Sequence, residues 1–231
     1  IMYYYQSPQK ITAFDAKAEA QKIAFAPIVF QATLALRDLG ILDLLMQKRK
    51  TGLKPETIAT ELDLPLYGVK VLLEGGLGAE VVYLEDENYN PTKTGYFIRT
   101  DKMTQVNMNF VADVCYTPMA HLTEAIVEGK PAGLKELGPW DTVYEGLTRL
   151  PETVRKSWFE FDHFYSDEAF PKVLPEVFKD KPINFYDIGG NTGKWTKKCL
   201  EYDPHVNMTL VDLPGQIGMA REGLKSHSEF D

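Results

Sequence analysis

The residues of this chain best suited to chemistry stand together in one glycine-rich stretch, Phe185-Tyr-Asp-Ile-Gly-Gly-Asn-Thr-Gly193, followed at a distance by Asp212. The run from Ile183 to Ile188 is apolar and aromatic apart from Asn184 and Asp187, and reads as a strand. Gly189, Gly190 and Gly193 remove side chains where the backbone must bend sharply and admit a ligand, with Asn191 inside the turn and a helix expected from Lys194. A second apolar run, Met208-Thr-Leu-Val, ends at Asp212, 23 residues after Gly189. That places a carboxylate at the tip of the next strand, where it can hold both hydroxyls of a ribose. Strand, glycine turn, helix, strand and acid make a nucleoside-binding βαβ unit.

Glycine triplets also arise by chance in turns, so the acid at this distance and the strand–helix–strand context carry the reading. The spacing separates ligands. A dinucleotide fingerprint is G-x-G-x-x-G with the pyrophosphate on the helix N-terminus. The pattern here is Asp-x-Gly-Gly-x-x-Gly, and Asp187 before the turn would repel a pyrophosphate but attract an ammonium. S-adenosylmethionine, with a ribose, an ammonium, a sulfonium and no phosphate, fits better than NAD.

The elements that must position this turn follow from the rest of the chain. Its 231 residues suffice for one large or two modest domains. A net charge of −8 argues against a broad nucleic-acid or anionic-membrane surface. Nothing approaches the roughly 18 consecutive apolar residues of a membrane span. The start, Ile-Met-Tyr-Tyr-Tyr, shows no basic region followed by an apolar core, so no signal peptide is expected. Cys115 and Cys199 form neither a disulfide framework nor a metal motif, which makes a reducing cytoplasm the expected compartment and a metal unexpected.

Residues 12–39 read as helical, with Pro27 expected to break the stretch into two helices. The second half, with the Ile41-Leu-Asp-Leu-Leu-Met run, carries more apolar surface than a lone surface helix shows. It is either a core helix or packs on a partner subunit as well. Pro55 opens a helix to Leu62, Pro65 opens another to about Leu77, and Val81–Leu84, an acidic turn at Glu85–Asn88 and Tyr89–Pro91 form a hairpin. Helix, helix, hairpin is a winged helix, whose obvious use is DNA recognition. The charges oppose it: residues 51–102 hold five Lys or Arg against nine Asp or Glu, and the wing tip is Glu85-Asp86-Glu87.

Residues 104–180 read as several helices joined by Gly/Pro turns. In Trp158-Phe-Glu-Phe-Asp-His-Phe-Tyr-Ser166, five aromatics fall within nine residues. This is either a buried helix packing domains together or a wall for a flat ligand, since a sulfonium also prefers aromatic faces.

Together these segments resemble the two-domain, S-adenosylmethionine-dependent small-molecule O-methyltransferases, of the plant caffeate and hydroxyindole type with bacterial members. The resemblance covers nearly the whole chain. Gln31–Leu45 is similar to the family's dimerising helix, and residues 55–98 to its winged-helix module, which does not bind DNA. Residues 119–129 resemble its Trp-x-x-Leu-x-x-Ala-x-x-x-Gly helix, with Met119 where Trp is usual. Asp187–Gly193 and Val211-Asp-Leu-Pro214 match its cofactor motifs, the Asp-Leu-Pro triplet being the most specific.

The resemblance implies an α/β chain, mostly helical over these residues. It places a winged-helix dimerisation domain over 1–103 and a helical linker contributing to the substrate pocket over 104–180. The N-terminal part of a Rossmann-like class I methyltransferase domain then occupies 181–231. It also implies that Gly189, Gly190, Asn191 and Gly193 line the methionine part of the cofactor, with Asp187 holding its ammonium. Asp212 would take the ribose, Leu213 would pack near the adenine, and Ser166 would lie near the methionine carboxylate. Phe161, Asp162 and Tyr165 would face the acceptor, and the chain would pair as a homodimer.

The family's sheet has seven strands, and its general base is a histidine beyond position 231. His121, His163, His205 and His227 do not match it. A parallel unit of roughly fifty residues cannot cover both faces of its own strands. The expectation is a part of a longer protein, inactive alone, whose parent methylates a hydroxyl of a small aromatic acceptor. A non-catalytic dimeric regulator or scaffold keeping this fold, and a ligand-sensing winged-helix transcription factor, are the alternatives.

Overall fold

The computed structural model describes residues 10–225, which divide into two compact units meeting between Gln105 and Val106. The first unit opens with α1 (Ala13–Asp38), whose N-cap Thr12 and Asp15 form a reciprocal capping box. It runs unbroken through Pro27, which corrects the expected break. One missing N–H removes one hydrogen bond, while the second half is held by buried Thr33 and Leu36 and by Ala32 against Gly75. Gly40, in the left-handed region at φ 78°, ends α1 and starts α2 (Ile41–Gln47).

Next come α3 (Pro55–Glu61) and α4 (Leu66–Gly78), then the antiparallel hairpin β1 (Val82–Glu85) and β2 (Asn88–Pro91). The bridge Leu53–Tyr89 adds a third partner to the wing. Glu85 pairs with Asn88, so the turn is the two residues Asp86-Glu87, tighter than the four-residue turn read from sequence. Both have positive φ, 46° and 65°, as a two-residue hairpin turn with the twist of its strands requires. Leu36, Ile41, Leu42, Leu45, Ile58, Val69, Leu73, Val81 and Val82 form the core of this unit. The helix α5 (Lys93–Thr100) is capped by Thr92, and α6 (Lys102–Phe110) carries the chain into the second unit. Leu36, Ile41, Leu42, Leu44 and Leu45 are buried while Ile28, Val29 and Leu39 stay exposed, so the apolar surface read from the second half of this stretch is only partly core.

The second unit continues through a π-helical turn (Val111–Cys115) and short 3-10 turns flanking α7 (Leu122–Glu128). Then come α8 (Val143–Gly146), α9 (Glu152–Asp167) and α10 (Phe170–Val177). The strands β3 (Asn184–Ile188) and β4 (Asn207–Val211) pair in parallel, joined by α11 (Lys194–Tyr202) and followed by α12 (Pro214–Leu224). Leu174, Phe178, Cys199 and Val206 pack α10 and α11 beneath these strands. Parallel register from Asn184–Asn207 to Ile188–Val211 brings the ends of both strands level, which sets Gly189 beside Asp212. Among the described residues no helix is long and apolar enough to cross a membrane.

Candidate functional site

The glycine turn is built as its residue types require. The Gly189 N–H continues the ladder to the Val211 carbonyl at 2.8 Å. Gly189, Asn191 and Gly193 then take positive φ of 74°, 52° and 76°, and Gly193 caps α11. Gly190 is required from the inside. A Cβ there would stand 2.7 Å from Asp187 Oδ2 and 2.8 Å from Leu210 Cγ.

Asp187 is buried, 8 % exposed, and its Oδ2 accepts from the Thr196 hydroxyl at 2.6 Å. It braces the turn against the first coil of α11. Next to it, the Cys199 thiol is pushed up to about 12, first by burial and then by the negative charge of Asp187.

Asp212 stands at the tip of β4 with both carboxylate oxygens engaged. Oδ2 accepts the Asn191 N–H at 2.7 Å, and Oδ1 accepts the N–H of Leu213, also at 2.7 Å. The Asn191 side chain reaches the other way, its Nδ2 donating to Asp162 Oδ2 of α9 at 2.8 Å. Asn191 thus ties the turn to two carboxylates from distant parts of the sequence.

A cavity of about 530 Å³ opens here, lined by Thr142, Tyr144, Glu145, Leu147, Trp158, Asp162, Gly189, Asn191, Asp212, Leu213 and Gln216. Among these described lining residues three are acidic and none is basic. The wall from α8 is fixed by the buried Gln216, whose Nε2 donates to the Tyr144 carbonyl at 3.1 Å. Tyr144 meets Trp158 edge to face, at 6.4 Å between ring centroids.

Of the residues singled out from sequence, Gly189, Asn191, Asp212, Leu213 and Asp162 meet at this cavity. Asp187 and Gly190 lie beneath the turn, facing one another. Gly193 borders a second cavity of about 450 Å³ with Thr192, Lys194 and Lys197. Phe161 stacks on Phe110 at 4.1 Å, and Tyr165 donates to Asn107 Oδ1, so both belong to the face of α9 that packs on α6. Ser166 donates back to the Asp162 carbonyl, one turn earlier in its own helix. Sequence reasoning missed the wall Thr142–Leu147 and Gln216. Trp158 alone among the unassigned lining residues was signalled, by its place in the aromatic stretch.

Among the histidines, His121 lies between Glu124 and Glu136, at 3.2 and 2.8 Å. The His163 ring is held below its usual range by burial first and then by the Lys194 cation. His227 lies outside the described residues. Among those described, no group of three or more His, Cys, Asp or Glu could hold a metal ion.

With this geometry in place, comparison with known proteins shows what the chain is similar to. Residues 17–89 match the Dimerisation2-like domain. The chain is 27 % identical over 141 residues to phenazine-1-carboxylate N-methyltransferase of Pseudomonas aeruginosa, covering 61 % of this chain and 41 % of that protein. It is 23 % identical over 194 residues to acetylserotonin O-methyltransferase of Gallus gallus, covering 81 % and 56 %. The crystal structure of human N-acetylserotonin methyltransferase in complex with SAM matches its fold with a TM-score of 0.61 at 20 % identity, over 97 % of this chain and 65 % of that one. The chain spans about half the length of the curated relatives it matches.

The fold is therefore a Dimerisation2-like winged-helix domain followed by a class I methyltransferase βαβα unit. The resemblance to two-domain S-adenosylmethionine-dependent small-molecule methyltransferases read from the motifs is borne out.

Proposed function

We propose that this chain belongs to an enzyme that transfers a methyl group from S-adenosylmethionine to a hydroxyl of a small aromatic acceptor. The observation that carries the reading is the cavity, where the glycine turn and Asp212 meet a lining with three carboxylates and no basic residue. Such a lining suits a ligand with ribose hydroxyls and positive charge and disfavours a phosphate. The named activities of the relatives support methyl transfer. The choice of oxygen rests on the acetylserotonin O-methyltransferase likeness, against the N-methyltransferase of the phenazine relative.

In this reading Asp212 takes the ribose hydroxyls, since Asn191 and Leu213 N–H groups hold its oxygens in a fixed direction. Leu213 and Tyr144 flank the base, and the Gly189 backbone, free of a side chain, lies along the ligand. When bound, the cofactor supplies a methyl group activated on sulfur, whose bonding pair returns to sulfur as carbon joins the acceptor oxygen. The protein then needs mainly to align oxygen, carbon and sulfur and to exclude water. Positioning of that kind is worth roughly 7–11 kcal/mol. Among the described residues no histidine lines this cavity.

We also propose that the first unit pairs with a second copy through the exposed apolar side chains of α1, Phe14, Ile23, Phe25 and Ile28, within or beside the Dimerisation2-like region. The two unpaired cysteines, Cys115 and Cys199, suit a reducing compartment such as the cytoplasm.

The test is transfer of labelled methyl from S-adenosylmethionine by the full-length protein to a panel of phenols and hydroxylated heteroaromatics. Label in product, with release of S-adenosylhomocysteine, is expected. No transfer to any acceptor, with the dimer intact, would put the non-catalytic scaffold in its place.

A further inference from the structure

We propose that Asp162, held in place by Asn191, is the counter-ion for the ammonium end of the bound nucleoside, a role its neighbour Asp187 cannot fill. The inference rests on the reading of the cavity as an S-adenosylmethionine site. A ligand whose ribose is fixed by Asp212 must extend its amino-acid end over the glycine turn, and some carboxylate has to meet the positive charge there. Asp187 is the nearest acid in sequence, but its carboxylate is buried beneath the turn, bonded to Thr196 and walled off by Gly190 and Leu210.

Asp162 has the properties required. It lines the cavity, and Asn191 Nδ2 fixes one of its oxygens at 2.8 Å. Trp158, one helical turn earlier on the same face of α9, lines the cavity as well, so an aromatic ring and a carboxylate stand side by side. Asp212 has both oxygens already bound to backbone N–H groups, whereas Asp162 Oδ1 has no hydrogen-bond partner among the described residues. Asn191 Oδ1 is buried with no partner, a demand for a donor that an ammonium beside Asp162 would meet. Asn191 is then a positioning residue. Its backbone N–H orients the ribose acid and its side chain orients the ammonium acid, from a single left-handed residue at φ 52°.

The test uses two neutral-sulfur probes that differ in the group at issue. S-adenosylhomocysteine carries the amino-acid ammonium, and 5′-methylthioadenosine lacks it. Both are titrated calorimetrically into the full-length protein and into Asp162→Asn and Asn191→Gly. The glycine variant keeps the backbone N–H to Asp212 and tolerates the positive φ, and so removes only the amide. We expect Asp162→Asn to weaken S-adenosylhomocysteine about 10- to 100-fold, as loss of a hydrogen bond between charged groups would. Asn191→Gly should weaken it several-fold, and 5′-methylthioadenosine should bind all three proteins within about twofold, which also shows that the variants fold. Equal losses for both probes, or no loss for either, would overturn the assignment of Asp162. Failure of the unmodified protein to bind either probe would instead sink the nucleoside reading beneath it.

Discussion

The bond between Thr196 and Asp187 carries more of the site's geometry than its place beneath the turn suggests, and Thr196→Val isolates it. Valine keeps the branched shape and nearly the volume of threonine and deletes only the hydroxyl. Thr196 is 3 % and Asp187 8 % exposed, and 2.6 Å separates the hydroxyl from Oδ2, so water cannot readily replace the lost donor. A hydrogen bond to a charged group contributes about 1.5–3 kcal/mol, and the orphaned carboxylate adds its own desolvation cost. The expected loss is therefore about 2–3 kcal/mol, a fall of roughly 1 M in the urea midpoint at a slope of ~2–3 kcal/mol/M. The assay is convenient because all three tryptophans, Trp140, Trp158 and Trp195, lie in the second unit, so their fluorescence follows that unit alone. Thr196→Ser, which keeps the hydroxyl, should retain most of the stability. A valine variant within ~0.5 kcal/mol of the parent would refute the claim that Asp187 is a bracing group held by Thr196.

Gly190→Ala should destabilise the same unit by about 1–3 kcal/mol through overpacking against Asp187 and Leu210, measured by the same fluorescence titration; a neutral result would contradict the inward role of this glycine. His163 has its pKa lowered in the folded chain, so below its ordinary value near 6.5 the unfolded chain binds more protons. Stability should then fall as pH drops from about 6.5 through the lower folded value, and His163→Gln should flatten that part of the urea-midpoint profile. Cys199, fully buried with its thiol pushed up to about 12, should resist a thiol-reactive dye at pH 8 until the chain is unfolded; rapid labelling of the native protein at this position would contradict the packing of α11.

The local chemistry of the second unit was legible because each step had its own marker. Short apolar runs marked β3 and β4, and the glycine turn ending at Gly193 marked the start of α11. The wing was legible for the same reason, from Pro55, Pro65 and the acidic hairpin. Pro27 misled because tertiary packing of α1 on α4 outweighs one lost hydrogen bond, and propensity carries no record of such packing. The hairpin turn was read too long because Glu87, unlike Gly, Asn or Asp, does not advertise a positive φ. The wall of Thr142–Leu147 and its tether to Gln216 join residues 72 apart in sequence, a distance over which no periodicity speaks. The burial of Asp187 was hidden too, since its motif position is the same whichever way the carboxylate points.

The central claim is a nucleoside site anchored by Asp212, and calorimetric titration of S-adenosylhomocysteine into the full-length protein and its Asp212→Ala variant tests it most directly. The account predicts micromolar binding by the unmodified protein and at least a tenfold loss in the variant, since the removed carboxylate would hold the ribose by charge-assisted hydrogen bonds. Equal affinity in the two proteins would contradict it.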